Sequence, residues 1–254
     1  MLARVLTAVV ALAVFLAALF LLPAPAWAVF VGGLAGIAAW EWAGLAGVAR
    51  GVRGAYAAAV VLGCALLYLS RSGAGPWPAV ASLAFWATLG AWTLWRKWRP
   101  GRAGRLAIGA VLILPTWWAF VELQPQPGRL LALAAVVWVS DTAAFLVGRT
   151  WGRHRCAPQI SPGKTWEGIA GAFAGVGVYA WLLAPALGGV LHVLTVFWIM
   201  TVLSIVGDLY ESLAKRQADV KDSGTWLPGH GGLLDRIDSL TAALPFAALV
   251  FRQA

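Results

Sequence analysis

Six carboxylates, Asp208, Glu211, Asp219, Asp222, Asp235 and Asp238, fall within thirty-one consecutive positions of a chain that has only ten. Asp141 and Glu167 flank the preceding polar stretch, leaving only Glu41 and Glu122 elsewhere. Lys164, Lys215, Arg216, Lys221 and Arg236 are interleaved with these acids, and so are the glycines of Pro228-Gly229-His230-Gly231-Gly232. Hard carboxylate oxygens suit Mg²⁺, which keeps waters and bridges substrate phosphates. Neighbouring lysine and arginine neutralise those phosphates. Carboxylates, cations and close-approach glycines together equip a protein for phosphoryl or nucleotidyl transfer, chemistry that needs mainly positioning and charge neutralisation. His230 has no second histidine at a zinc spacing, and Cys64 and Cys156 form no CxxC pair.

These groups must be positioned by membrane helices. The chain has 254 residues, 61% hydrophobic and 11% charged, with a mean hydropathy of +0.80. A soluble domain carries about 25% charge. Apolar runs near the ~20 residues that cross a bilayer recur along the whole length. They fall at about 5–22, 28–49, 54–70, 78–95, 104–121, 130–148, 168–186, 191–209 and 239–251. The expected architecture is an all-α polytopic helical bundle of about nine transmembrane helices. It forms one membrane domain, 1–254, with N-terminal helices over 1–125 and the motif-bearing helices and loops over 126–254. The last run contains Pro245, so it crosses only if its helix starts near Ile237 and a neighbouring helix answers the freed carbonyl.

With nine spans, sixteen of the nineteen basic residues lie on one side, leaving Arg71, Arg129 and Arg252 on the other. By the positive-inside bias the crowded side is cytoplasmic, and so is the N-terminus. The expected location is the inner membrane of a bacterium, with the site on the cytoplasmic face. Arg4, an apolar run and Ala26-Trp27-Ala28 resemble a signal peptide, but the run is long for one, and an uncleaved first helix is expected. The net charge of +9 then reads as anchoring and as binding of anionic lipid or nucleotide phosphates, not of nucleic acid.

Asp141 lies inside the sixth run, about 10 Å below its end at 1.5 Å per residue. A carboxylate at that depth must face the bundle interior and meet a cation, a donor or water. It reads as a site residue. Glu41 has no motif beside it and reads as structural. In Ser161-Pro162-Gly163-Lys164-Thr165-Trp166-Glu167-Gly168 a helix is expected to begin near Thr165. Its positive end and Lys164 could hold a phosphate, although a plain helix cap is an equal reading. Asp208 with Glu211, and Asp235 with Asp238, are three apart and share helix faces.

From Ser212 the chain matches the pattern S-x-[hydrophobic]-K-R-x4-K-D-x-[GSA]-x2-[LIF]-[PG]-x-H-G-G-x-x-D-R-x-D through Lys215, Arg216, Lys221, Asp222, Gly224, Leu227, Pro228, His230, Gly231, Gly232, Asp235, Arg236 and Asp238. Ala214 stands where a larger apolar residue is usual. In this it resembles the phosphatidate cytidylyltransferase, or CDP-diacylglycerol synthase, family. Asp141 to Phe145 with Gly148-Arg149, and Ser161 to Gly168, also resemble that family. The resemblance implies CMP transfer from CTP to phosphatidate, giving CDP-diacylglycerol and pyrophosphate. It implies Asp208 and Asp235 as first metal ligands, with Asp141, Asp222 and Asp238 next. The metal would be Mg²⁺, with a second, monovalent cation such as K⁺ an option. Lys164, Lys215, Arg216, Lys221 and Arg236 would contact phosphates, and Asp222 would also face substrate. His230, Gly231 and Gly232 would shape the nucleotide site. The acyl chains would enter between helices from the inner leaflet, and a homodimer is an option. The rivals are a CTP-using lipid kinase or ether-lipid synthase, a transporter built on Asp141 and Glu41, and a scaffold. Charge gathered at one face argues against transport.

Overall fold

The computed structural model describes residues 2–70, 75–226, 229 and 231–252. Its helices follow the apolar runs: α1 Leu2–Leu21, α2 Ala24–Leu45, α3 Arg50–Leu69, α4 Trp77–Phe85, α5 Ala91–Arg96, α6 Arg102–Leu123, α7 Pro127–Trp151, α8 Trp166–Leu187, α9 Val190–Gln217 and α10 Leu234–Phe251. A π-helical turn, Trp86–Gly90, joins α4 to α5, so the two run as one rod. Among the described residues α2, α3, α6, α7, α8 and α9 are long and apolar enough to cross a membrane, and α1 carries a shorter apolar stretch, Leu6–Leu21. Apolar side chains from Ala18 to Phe251 build one contiguous core, while Leu6, Leu69, Leu191 and Trp181 point outward, as expected where lipid is the solvent.

Helix boundaries follow local chemistry. Thr165 caps α8, its hydroxyl accepting from Gly168 N at 3.1 Å, as the sequence predicts. α8 then lies against α7 on a stripe of small residues. A Cβ on Gly168 would come 2.8 Å from Ala144 O, and one on Gly171 would come 2.5 Å from Val147. This close packing brings the end of α7, with Asp141, beside the start of α8.

Three features differ from the sequence reading. The stretch between α7 and α8 folds into an antiparallel hairpin, β1 Arg155–Ala157 with β2 Ser161–Thr165, where a plain loop is expected. α9 does not end near residue 209 but continues to Gln217, so Asp208 to Arg216 are helical. α10 starts at Leu234, three residues before Ile237, and is 18 residues long. Its Pro245 leaves Thr241 O without the helical donor, and Thr116 Oγ1 of α6 stands 3.5 Å from that oxygen.

The loops rich in basic residues meet at one end of the bundle. Gln217 donates to the carbonyls of Lys97 and Trp98 at 3.3 and 3.1 Å. Lys97 reaches Gln159 of the hairpin, and Arg105 donates to Leu45 O at 3.2 Å. Links between distant segments hold this end together, so groups carried on separate loops can act at one site.

Candidate functional site

The site is assembled from β2, α7, α9 and α10. Gly207 controls the α9–α10 contact. A Cβ there would lie 2.7 Å from Asp238 O, so only glycine lets the two backbones touch, and the next residue, Asp208, comes beside Asp238. Lys164, on β2, reaches across to Asp208, with Nζ to Oδ2 2.6 Å. Ser212, one turn on, donates to Asp208 Oδ1 at 3.2 Å. Asp141 faces Asp208, Asp238 and Lys164 closely enough for their charges to act on it. The structure thus brings together four segments that the sequence keeps apart.

A second, more buried group adjoins the first. Lys215 Nζ bridges Glu211 Oε2 at 2.8 Å and Asp235 Oδ1 at 2.7 Å. The other oxygen of Asp235 accepts from Ser223 N at 3.0 Å, Ser223 Oγ at 3.0 Å and Gly232 N at 2.8 Å. Asp235 is therefore saturated by donors of its own chain. The Lys215 head group likewise sits between two acids, with its side chain 12% exposed. Glu211 Oε1, in contrast, is buried with no hydrogen-bond partner among the described residues, and Glu211 faces Asp238. Two buried carboxyls facing each other need a cation or a proton between them.

Of the remaining candidates, Arg216, Lys221, Asp222 and Arg236 are exposed at the same end. Gly231 takes φ +83°, and a Cβ on it would come 2.8 Å from Asp235 Oδ2 and 3.3 Å from Asp222. Within the chain, then, Gly231 and Gly232 closely approach carboxylates. His230, with Leu227 and Pro228, lies outside the described residues.

Below the acids opens a cavity of about 620 Å³. Asp141, Asp235, Arg236 and Asp238 line its polar end, and apolar residues of α1, α2, α6 and α7, including Phe15, Leu34, Phe120 and Trp138, line the rest. Three carboxylates and one arginine over an apolar chamber of this size suit, once the acids hold a cation, a molecule with an anionic head and hydrocarbon chains.

Sequence reasoning missed Glu41. It is 2% exposed and engages the segment around Ser223 and Leu234, far from its own place in the chain. Its one signal is a carboxylate inside an apolar span, Trp40-Glu41-Trp42, which must find donors somewhere.

The donor set suits a hard divalent cation by type: carboxylate oxygens, one of them orphaned. Among the described residues no three of His, Cys, Asp or Glu converge as a ready-made metal cage. Mg²⁺ commonly takes one or two carboxylates and completes its shell with water and substrate phosphate, so this set fits that manner of binding.

The sequence is similar to those of known proteins. The chain is 40% identical to the phosphatidate cytidylyltransferase of Pseudomonas aeruginosa over 98% of its own length and 96% of the relative's. It is 44% identical to the enzyme of that name from Haemophilus influenzae over 46% of the chain and 43% of the relative. For that of Thermotoga maritima the figures are 39% identity over 48% of each. The sequence profile described as the cytidylyltransferase family matches residues 2–254, and the chain belongs to that family.

Proposed function

We propose that the protein is a phosphatidate cytidylyltransferase. The observation that carries this reading is that Asp141, Arg236 and Asp238 line the 620 Å³, mostly apolar cavity, with Asp141 and Asp238 beside the Lys164–Asp208 pair. A nucleotide and a lipid phosphate need to meet at such a boundary. The similarity to the Pseudomonas aeruginosa enzyme over nearly the full length supports the same activity.

In this reaction a phosphate oxygen of phosphatidate attacks the α-phosphorus of CTP. A P–O bond forms there, the bond from the α-phosphorus to the bridging oxygen breaks, and pyrophosphate leaves with its electron pair. Both reactants are anions, so their repulsion is the main barrier the protein can lower. Lys164 leaves Asp208 for a triphosphate oxygen, and Arg236 at the cavity mouth meets the lipid phosphate. Arg216 and Lys221 draw anions toward this end of the bundle. Asp208 and Asp238, with Asp141 beside them, would hold Mg²⁺, which would supply charge neutralisation to the phosphates and to the departing pyrophosphate. Asp235, saturated by its donors, fixes the loop that precedes α10. A monovalent cation would answer the orphaned Glu211 oxygen.

The apolar rods, counting α4 and α5 as one, cross the inner membrane nine times. The end that carries the stitched loops faces the cytoplasm, where CTP is. The test is an assay of purified protein in mixed micelles with labelled CTP and phosphatidate, with and without Mg²⁺ and K⁺. CDP-diacylglycerol and pyrophosphate are expected in equal amounts, and only with Mg²⁺. A product that gains phosphate without CMP, or no CTP-dependent product, overturns the reading.

A further inference from the structure

We infer that Glu41, outside every motif, is a positioning residue of this site: its carboxylate on α2 caps the first turn of α10 and so sets where Asp235 and Asp238 stand. The inference rests on the reading of the site given above.

A helix begins with backbone N–H groups that have no partner within the helix. A side-chain oxygen of the capping residue usually answers them. α10 starts at Leu233-Leu234, and Leu233 provides no such oxygen. Glu41 provides it from another helix. Leu233 N donates to Oε1 at 3.0 Å and Leu234 N to Oε2 at 2.7 Å. Charge-assisted bonds of this kind, at the positive end of a helix and away from water, are the strong ones.

The same carboxylate reaches the loop. Ser223 Oγ lies 3.2 Å from Glu41 Oε2 and 3.0 Å from Asp235 Oδ2. One hydroxyl proton thus stands between the two acids and ties the loop to α2 on one side and to α10 on the other. Two motif glycines are shaped to this contact. A Cβ on Gly224 would strike Glu41, and one on Gly232 would come 2.7 Å from both carboxylate oxygens. These glycines allow the backbone to close on Glu41.

Glu41 is itself fixed. The next residue, Trp42, donates from Nε1 to Arg105 O of α6 at 2.7 Å, and its ring stacks on Tyr210 of α9 at 6.4 Å. The carboxylate therefore passes the position of α2, α6 and α9 to the start of α10. Two acids of the site lie within α10's first five residues, so a small rotation there moves both. A misplacement of about 1 Å costs on the order of 10²-fold in rate.

The test compares wild type with Glu41→Gln, Glu41→Asp and Gly224→Ala. Gln keeps the shape, but in either flip its NH₂ opposes an N–H donor. We expect kcat to fall about 10- to 100-fold in Glu41→Gln, with KM for CTP and phosphatidate within about threefold. Backbone amides 232–236 should exchange hydrogen faster, and Glu41→Asp should restore part of both properties. Gly224→Ala, which displaces the carboxylate without changing it, should repeat the pattern and carries the test if Glu41→Gln does not fold. Wild-type kcat and exchange in Glu41→Gln, or in Gly224→Ala where Glu41→Gln does not fold, overturn the inference. So does a rise in KM with kcat and exchange unchanged. If wild type itself makes no CDP-diacylglycerol, the reading of the function fails, while the exchange data still test the cap.

Discussion

Lys164 on β2 and Asp208 on α9 meet at 2.6 Å with side chains 22% and 27% exposed. A pair this open contributes at most about 1 kcal/mol to stability. The pair is better understood as two groups kept ready. In the proposed reaction substrate phosphate would take the ammonium, and the released carboxylate would take a cation.

Lys164→Ala should therefore lower kcat/KM for CTP by a factor on the order of 10² to 10³, the loss typical when a preorganised donor to developing charge is removed. Thermal unfolding in detergent should stay within about 0.5 kcal/mol of wild type. Arg at this position should restore part of the activity. Steady-state kinetics beside a melting curve separate the two effects, and an equal loss of stability would show that the lysine serves the fold.

Lys215 should behave in the opposite way. Its ammonium lies between Glu211 and Asp235, whose side chains are 4% and 6% exposed. Lys215→Met leaves two buried carboxylates without their cation, a loss of about 3–5 kcal/mol. The protein should unfold at clearly lower temperature or fail to accumulate in the membrane. Lys221→Met, at an exposed position in the loop that follows α9, should leave the melting curve unchanged. Thermal unfolding of both variants in one detergent makes the comparison.

Much of the site was readable because it is local. Charge clustered at one end marks the loops, and Thr165 followed by Gly168 announces the start of α8. Asp141 in an apolar run has few roles open to it. Three features were hidden for physical reasons. α9 keeps its helix through Lys215 and Arg216 because Asp208, Glu211 and Lys215 share one inward face, yet a helix leaving the bilayer looks like a loop to a hydropathy count. The β1–β2 hairpin is held by contacts such as those of Arg153 N and His154 N with Glu167, which spacing alone does not announce. Glu41 meets partners at Leu233 and Leu234, and no local pattern encodes so distant a pairing. The glycines at 224 and 232 were visible, but the group they admit was not.

The same reasoning makes Gly207 a sensitive position. Its Cβ would meet the backbone oxygen of Asp238 at 2.7 Å and Ala242 Cβ at 3.3 Å. Neither is the end of a flexible side chain, so α9 and α10 must part. Gly207→Ala should destabilise by about 1–3 kcal/mol through overpacking and reduce kcat more than KM, because Asp208 and Asp238 separate. Gly33→Ala is the control, since a Cβ there meets nothing within 4 Å. Kinetics and melting of the two variants test it.

The orientation can be tested with a single cysteine. Lys221→Cys, in a Cys156→Ser background with Cys64 left buried, should resist a charged maleimide added to intact spheroplasts and react after lysis. Labelling before lysis would place the stitched end of the bundle, and the site with it, on the outer face.

The cavity makes the last prediction. Ala35 of α2 lies on its apolar wall and is 5% exposed, so Ala35→Phe pushes a ring into the space read as the acyl chamber. Excluding about two methylenes from an apolar pocket forfeits about 1.6 kcal/mol, roughly a fifteenfold weaker interaction. Long-chain phosphatidate should lose affinity by about that factor, whereas a dioctanoyl analogue, with fewer methylenes to place in the chamber, should lose less. CTP kinetics should not change, because Ala35 lies on the apolar wall and not at the charged rim. An equal loss for both chain lengths would indicate general damage to packing. No loss for either would place the chains along the lipid-facing surface instead. KM measured for the two lipids at saturating CTP distinguishes the three outcomes.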